Sequence, residues 1–256
     1  VSIDSVISPT RLSTRTLTGA CEAGAIVSVA TGAGSGSAAT VTGTTWQITV
    51  TGLQEGNNPV TVTATDVAGN IATAQATLVR DTAPPATYFV ATPPAMSSST
   101  TATFQVACSE ANCTFEYKLD NGAYSTPSST TIVAYSNIAG EGTHTFTVRT
   151  TDAAGNTAAP VTYSWTLDLT PPHTSITVAP GAMTCLATSA TFSFTSTEQG
   201  GSFLCKLDQP DYIDGNNVTW PGKGSFVPCS SPKTYSSLNL DGVYTFTVKA
   251  VDGAGN

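Results

Sequence analysis

The feature that most constrains this chain is a five-residue motif that occurs three times. Asp66–Asn70 reads DVAGN, Asp152–Asn156 reads DAAGN, and Asp252–Asn256 reads DGAGN. The motif Asp residues are 86 and 100 residues apart. Self-similarity at a nearly fixed period indicates repeated copies of one folding unit, each with its own place in an array. We therefore predict three copies of one domain.

Each copy of the motif is preceded by residues that alternate between apolar and polar. The apolar or inward positions are Val60, Val62 and Ala64 in the first copy, Phe146, Val148 and Thr150 in the second, and Tyr244, Phe246, Val248 and Ala250 in the third. A period of two predicts a half-buried β-strand. Ten residues before each motif Asp, a glycine follows an acidic residue (Gly56, Gly142 and Gly242), which predicts a turn that leads into the strand.

The composition supports an all-β fold. Thr and Ser together account for 72 of the 256 residues, whereas strong helix formers are scarce. Short strand patterns separated by Gly, Asn and Ser clusters are typical of β-sandwiches. Double prolines in DTAPP (Asp81–Pro85) and DLTPP (Asp168–Pro172) cannot donate to a sheet and predict domain junctions. We predict domains at 1–83, 84–170 and 171–256.

Two further stretches carry a family resemblance. Thr45–Val50 (TWQITV) with Gly52–Gly56, and Phe203–Asp208 (FLCKLD) with Cys229–Pro232, resemble the tandem bacterial immunoglobulin-like repeats of surface adhesins and other extracellular proteins. The resemblance implies three tandem immunoglobulin-like β-sandwich domains in a rod. It also implies a disulfide between Cys205 and Cys229. Because such repeats serve as stalks, adhesin arms and enzyme appendages alike, it implies little about function.

The third copy differs from the other two because it ends at its motif. A final strand follows the motif in the first copy (71–80) and in the second (157–167), but nothing follows Asn256. We therefore predict a third sandwich that lacks its last strand. Either the natural chain continues, or another subunit donates the strand and builds a filament.

The other cysteines leave alternatives open. Cys108 and Cys113 lie five residues apart across a predicted strand–turn–strand, close enough for a local disulfide. Cys21 and Cys185 lie two predicted junctions apart. They are either buried free thiols or partners in an intermolecular disulfide that links one molecule to the next. Six cysteines without a C-x-x-C pair favour oxidising surroundings over a zinc site.

The junction aspartates form a candidate metal site. Asp66 precedes Asp81 by 15 residues, and Asp152 precedes Asp168 by 16, so each pair could meet where one domain ends. Hard oxygen ligands of this kind suit Ca²⁺, which is the one cofactor that we consider. In the alternative interpretation the motif residues cap a turn by accepting backbone N–H bonds.

A second candidate site is a long insertion at about 208–228 in the third domain. It contains Asp211, Tyr212, Asp214 and Trp220, which could stack on a sugar ring or hold a cation. In the alternative interpretation it is a loop that the end of a sandwich tolerates.

Charge and motif content exclude several classes of function. Nine Lys and Arg residues and a net charge of −8 disfavour nucleic-acid binding. No apolar run is long enough for direct membrane insertion. The two histidines, His144 and His173, occupy unrelated places, and no nucleophile, zinc or phosphate motif occurs, so we predict that the chain is not an enzyme.

The resulting hypothesis is an extracellular or cell-surface structural and interaction protein, a segment of a bacterial adhesin, stalk or filament. Its expected partners are other copies of itself, neighbouring immunoglobulin-like domains, or a host or surface glycan or protein. The alternatives are a glycan- or protein-binding module that uses the third-domain loop, and accessory domains of a secreted hydrolase.

Overall fold

The computed structural model describes residues 1–32, 35–36, 39–181, 188–213, 215 and 219–256. Every regular element in these ranges is a β-strand, which confirms the predicted all-β fold. In the same ranges, no helix has the length and apolar character needed to cross a bilayer.

The first seven strands form two sheets. They are β1 Thr14–Ala20, β2 Ile26–Thr31, β3 Ser35–Gly36, β4 Thr40–Thr42, β5 Thr45–Thr51, β6 Gly56–Thr65 and β7 Ile71–Arg80. One sheet has the order β1–β5–β3, with β4 also paired to β5, and the other has the order β2–β6–β7.

The next seven strands repeat this arrangement. They are β8 Thr87–Ala91, β9 Met96–Ser97, β10 Ala102–Cys108, β11 Thr114–Leu119, β12 Ile132–Tyr135, β13 Gly142–Thr151 and β14 Val161–Leu167. Their sheets have the orders β12–β10–β8 and β11–β13–β14–β9, in which β9 runs parallel to β14.

The last eight strands form two sheets and a hairpin. They are β15 Thr174–Val178, β16 Ser189–Ser196, β17 Ser202–Asp208, β18 Tyr212–Ile213, β19 Thr219–Trp220, β20 Val227–Cys229, β21 Lys233–Ser236 and β22 Thr245–Val251. The sheets have the orders β15–β16–β21 and β20–β17–β22, and β18 pairs with β19.

The strand that precedes each D-x-A-G-N motif shows how the copies differ. β6 pairs with both β2 and β7, and β13 lies between β11 and β14. β22 pairs with β17, and no strand in the described part of the chain lies on its other side. In the described residues this sheet of the third sandwich therefore has three strands, β20, β17 and β22.

The described chain divides into two compact units. Unit 1 comprises 1–92, 103–134 and 145–163, and unit 2 comprises 93–102, 135–144 and 164–256. Unit 1 contains β1–β7, and unit 2 contains β15–β22. The strands between residues 87 and 167 contribute to both units, so the domain boundaries near residues 83 and 170 stay a prediction.

The predicted alternation marks the buried face of the motif strands in unit 1. Val60 and Val62 are 1% and 0% exposed, and Phe146 and Val148 are both 0% exposed. Phe146 stacks on Phe104 with ring centroids 4.1 Å apart. This burial supplies the main stabilisation of both sheets, because each large apolar side chain removed from water contributes about 1.5–3 kcal/mol.

In all three copies, the side chain two residues after the acid–Gly turn forms a hydrogen bond with the backbone four residues upstream. Asn58 accepts a hydrogen bond from the N–H of Gln54 and donates to its carbonyl, both at 2.8 Å. His144 Nε2 lies 3.0 Å from the carbonyl oxygen of Gly140, and the Tyr244 hydroxyl accepts from the N–H of Leu240 at 3.0 Å. Each partner is four residues upstream. This is the corner contact that a tyrosine makes in many immunoglobulin-like domains, and it gives His144 a structural role.

The corner contact yields a prediction about stability. Asn58 is 1% exposed, so Asn58→Ala leaves the part-buried peptide groups of Gln54 and Gly56 without this partner and should cost about 1–3 kcal/mol. Hydrogen exchange of the β6 and β7 amides measures this loss. Asn57→Ala, at an exposed position of the same strand, is the matched control. Equal exchange in the two variants would contradict the assigned role.

Candidate metal centres

The D-x-A-G-N motif folds into a closed loop in all three copies. Oδ1 of the Asp accepts the N–H of the motif Asn at 2.8–2.9 Å, and Oδ2 accepts the side-chain amide of the same Asn at 2.7–2.9 Å. Gly69, Gly155 and Gly255 have φ of 88°, 91° and 93°, a conformation that favours glycine. The motif Asp therefore caps a turn, which is the alternative that the sequence left open.

In two copies the motif Asn also binds a preceding junction. The side-chain amide of Asn156 donates to the backbone carbonyl of Asp81 at 2.9 Å, and that of Asn256 donates to the carbonyl of Asp168 at 2.8 Å. Each junction Asp is thus held by an amide that a motif Asp orients. The hydrogen bonds within the motif hold the loop closed, and in these two copies the motif Asn connects that loop to the junction.

The acid of the acid–Gly turn holds the same junctions from another direction. The Glu55 carboxylate accepts the N–H and the hydroxyl of Thr82 at 3.0 and 2.9 Å. Glu141 accepts the hydroxyl of Thr170 at 2.8 Å. The hydrogen bonds from the backbone and then the side chain of Thr82 lower the pKa of Glu55. These contacts explain why an acid–Gly pair and a junction threonine occur together.

Three carboxylates converge at each junction. In unit 1 they belong to Asp81, Glu110 and Asp152, and in unit 2 to Asp168, Glu198 and Asp252. In each group one oxygen per residue lies within 4.8 Å of the others. Asp152 is only 6% exposed, whereas Glu110 is exposed.

The nearby negative charges raise the pKa of the glutamate in each group. Desolvation, followed by repulsion from Asp81 and Asp152, raises the pKa of Glu110. Desolvation, followed by repulsion from Asp168 and Asp252, raises the pKa of Glu198. Both carboxylate groups therefore carry a repulsion that a bound cation would relieve.

The geometry fits a calcium ion. Two oxygens bound to one Ca²⁺ at about 2.4 Å lie no more than about 4.8 Å apart. Three carboxylates, each able to bind through one or both oxygens, supply three to six of the six to eight ligands that Ca²⁺ takes. Water can supply the rest at these partly exposed sites.

The sequence prediction named some of the grouped carboxylates, and their role as metal ligands stays a prediction. It named Asp81, Asp152 and Asp168, but paired Asp152 with Asp168, whereas the structure groups Asp152 with Asp81. Glu110, Glu198 and Asp252 were missed. A second acidic repeat could have revealed the glutamates, because Glu22, Glu110 and Glu198 are each 88 residues apart and each lies four residues before a strand.

Asp66, the remaining predicted ligand, belongs to neither carboxylate group in the described residues. Its carboxylate accepts bonds from Ala68 and Asn70. The side-chain and then the backbone hydrogen bond of Asn70 lower its pKa. Asp66 and Glu22 hold the places in the first sandwich that Asp152 and Glu110 hold in the second.

Two disulfides and one free thiol account for the cysteines that the structure describes. Disulfides join Cys108 to Cys113 and Cys205 to Cys229, with Cα atoms 6.7 and 5.8 Å apart. Cys21 is a free thiol in the core of the first sandwich, 8% exposed. Cys185 lies outside the described residues, so the intermolecular disulfide stays a prediction.

In the insertion loop, the Asp211 carboxylate accepts the N–H of Gly222 at 3.0 Å, and Tyr212 is 50% exposed. The backbones of Tyr212 and Trp220 pair across the β18–β19 hairpin. Asp214 lies outside the described residues. The ligand role of this loop stays a prediction.

The paired sheets, the corner contact and the repeated loop define an immunoglobulin-like β-sandwich protein. Residues 4–82 match the family model described as bacterial Ig-like domain. The first sandwich therefore belongs to that family, which confirms the resemblance stated from the sequence.

Comparisons extend beyond this segment. The chain is 31% identical over 232 residues to Exoglucanase B of Cellulomonas fimi, covering 84% of this chain and 20% of that protein. It thus spans about a fifth of this curated relative. A structure of a 1.5-MDa bacterial ice-binding adhesin is similar over 100% of this chain and 92% of the adhesin chain, at 18% identity and a TM-score of 0.46. A structure of fibronectin(III)-like modules of Clostridium thermocellum CbhA is similar over 64% of this chain and 92% of the CbhA chain, at 14% identity and a TM-score of 0.40.

The Asp66 loop generates a pH prediction. Because its pKa is lowered on folding, Asp66 contributes stability above the ordinary aspartate pKa, and this is lost as pH falls through the lowered value. Asp66→Asn should lower the melting temperature of the first sandwich at pH 7, and the difference from the wild type should shrink toward pH 2. Calorimetry at both pH values measures this. Asp4→Asn is the control for charge, and a pH-independent difference would contradict the prediction.

Proposed function

We propose that this chain is an extracellular structural and interaction segment of a bacterial surface protein, whose junctions are stiffened by Ca²⁺. The observation that carries the proposal is the repeated junction, in which three carboxylates and an Asn-to-carbonyl bond recur in both compact units. The disulfides support an oxidising, extracellular setting.

The three carboxylates of each group come from three separate segments of the chain. Asp81 follows β7, Glu110 follows β10 and Asp152 follows β13, so an ion bound there would connect three chain segments. Asp168, Glu198 and Asp252 have the same relation to β14, β16 and β22. Cross-linking segments in this way resists local opening, which is the property that a load-bearing spacer needs.

Calcium should raise the melting temperature of the chain. At about ten times its Kd, a ligand that binds only the folded state raises the melting temperature of a chain of this size by about 2–6 °C. We expect this shift when 10 mM CaCl₂ replaces EDTA, measured by calorimetry, and we expect Glu110→Gln with Glu198→Gln to abolish it.

Glu22→Gln is the matched control, because Glu22 holds the equivalent place in the first sandwich but belongs to neither group of carboxylates in the described residues. It should leave the calcium shift intact. An unchanged melting temperature in the wild type would overturn the calcium proposal, and a shift that survives the double substitution would locate the ions elsewhere.

The interaction part of the proposal rests on the side of β22 that no described strand occupies. Phe246 and Val248 are half-buried, whereas the equivalent Phe146 and Val148 are 0% exposed. The strands that follow the motif in the first two copies carry buried apolar side chains: Leu78 in β7, and Trp165 and Leu167 in β14, all at most 2% exposed. We expect the edge of β22 to accept an extended donated strand with apolar side chains two residues apart.

A synthetic peptide tests strand acceptance. A peptide with the β14 sequence VTYSWTL should bind the chain and raise its melting temperature, because it pairs with β22 and buries Phe246 and Val248. The control peptide has proline in place of the second threonine and lacks one N–H. Calorimetry and hydrogen exchange of β22 measure the effect. Unchanged β22 exchange at millimolar peptide would contradict strand acceptance.

A second candidate is an accessory region of a secreted hydrolase. It is supported by the 31% identity to Exoglucanase B, of which the matched region is one fifth. A natural reading frame in which this segment adjoins a catalytic domain would favour it over the adhesin or stalk. The calcium and strand proposals concern the sandwiches themselves and hold in either setting.

A further inference from the structure

The outward face of the β20–β17–β22 sheet concentrates positive charge in an acidic chain. The chain has only five lysines, and three of them, Lys206, Lys223 and Lys249, lie in or beside this sheet. Lys206 on β17 and Lys249 on β22 lie on the side opposite to the inward Cys205 and Val248, by strand alternation. The hydrogen bond from Lys206 and, to a smaller extent, the charge of Lys223 lower the pKa of Asp208.

An exposed aromatic ring stands among these lysines. Phe226 is 40% exposed, and the Nζ atoms of Lys206 and Lys249 lie 5.6 and 4.9 Å from its ring centroid. Both distances are within cation–π range. An anionic group bound by the two ammonium groups would therefore lie beside an apolar ring that remains open to solvent.

The equivalent face of the preceding copy already holds a carboxylate. Glu116 and Arg149 are opposite each other on β11 and β13, and the Glu116 carboxylate accepts two hydrogen bonds from the Arg149 guanidinium at 2.9 and 2.8 Å. The guanidinium also lies 4.4 Å from the ring centroid of Tyr124. Cation, aromatic ring and carboxylate form one group, so the charge of Arg149 is neutralised from within the chain.

The third copy keeps the cation and the ring but lacks that carboxylate. Leu204 occupies the position of Glu116, opposite Lys249. Asp208 pairs with Lys206 at 2.7 Å, but among the described residues no carboxylate lies within ion-pair distance of Lys249. Among the described residues, Lys249 therefore has no counterpart of the Arg149–Glu116 ion pair, and its ammonium group is available to a carboxylate from outside the chain.

From this comparison we infer that the Phe226, Lys206 and Lys249 face binds an acidic polysaccharide through its uronate carboxylates. A sugar ring offers an apolar C–H face to Phe226, while the carboxylate of the same residue reaches the lysine ammonium groups. A repeating uronate chain suits a flat sheet face with one ring and two adjacent charges. A protein partner would need a far larger buried area than one exposed ring provides.

Titration calorimetry with polygalacturonate tests the inference on the full chain. The buffer contains EDTA, so the junction carboxylates cannot bind the polymer through Ca²⁺, and this result is independent of the calcium proposal. We expect binding that weakens with added NaCl, and a loss of about fivefold or more in affinity for Lys249→Gln. Leu204→Glu, which restores the internal carboxylate, should weaken binding further.

Lys233→Gln is the matched control, because Lys233 carries the same charge on β21, in the other sheet of this sandwich, with Nζ 5.3 Å from the Tyr235 ring. It should leave affinity within about twofold. Phe226→Ala tests the ring, and melting temperatures check that each variant folds. Absence of binding to polygalacturonate, equal binding to neutral dextran, or equal losses for Lys233→Gln and Lys249→Gln would each overturn the inference.

Discussion

The interaction on which the rest of this structure depends is the carboxylate of the D-x-A-G-N aspartate. In each copy it closes a tight turn by accepting the backbone and side-chain N–H groups of the motif asparagine. In two copies the oriented asparagine then binds the carbonyl of a junction aspartate. One local hydrogen-bonded loop thereby places a second carboxylate next to the first, and a glutamate from another loop completes the group.

This arrangement explains how a turn cap and a metal ligand can be the same residue. Asp152 uses its carboxylate to hold Asn156, yet an oxygen of that carboxylate also lies near Asp81 and Glu110. The two interpretations that the sequence left open are compatible, because a carboxylate has several lone pairs. Asp66 shows the cap without the surrounding acidic group.

The second and third copies share an aromatic stack but differ in how deeply it is buried. Phe192 and Phe246 stack with ring centroids 4.1 Å apart, as Phe104 and Phe146 do. Phe246 and Val248 are nevertheless half-buried, whereas Phe146 and Val148 are 0% exposed. The third copy also differs on its outward face, where Leu204 rather than a carboxylate lies opposite Lys249.

The sequence by itself determined the strands and the repeat, because these follow from local alternation and from motifs that close within five residues. It did not determine which acids meet: Asp152 groups with Asp81 and Glu110, which are 71 and 42 residues away, rather than with Asp168. Nor did it show that Leu204 lies opposite Lys249 where Glu116 lies opposite Arg149. Such contacts depend on how the strands pair and where their loops end, and only the tertiary structure decides this.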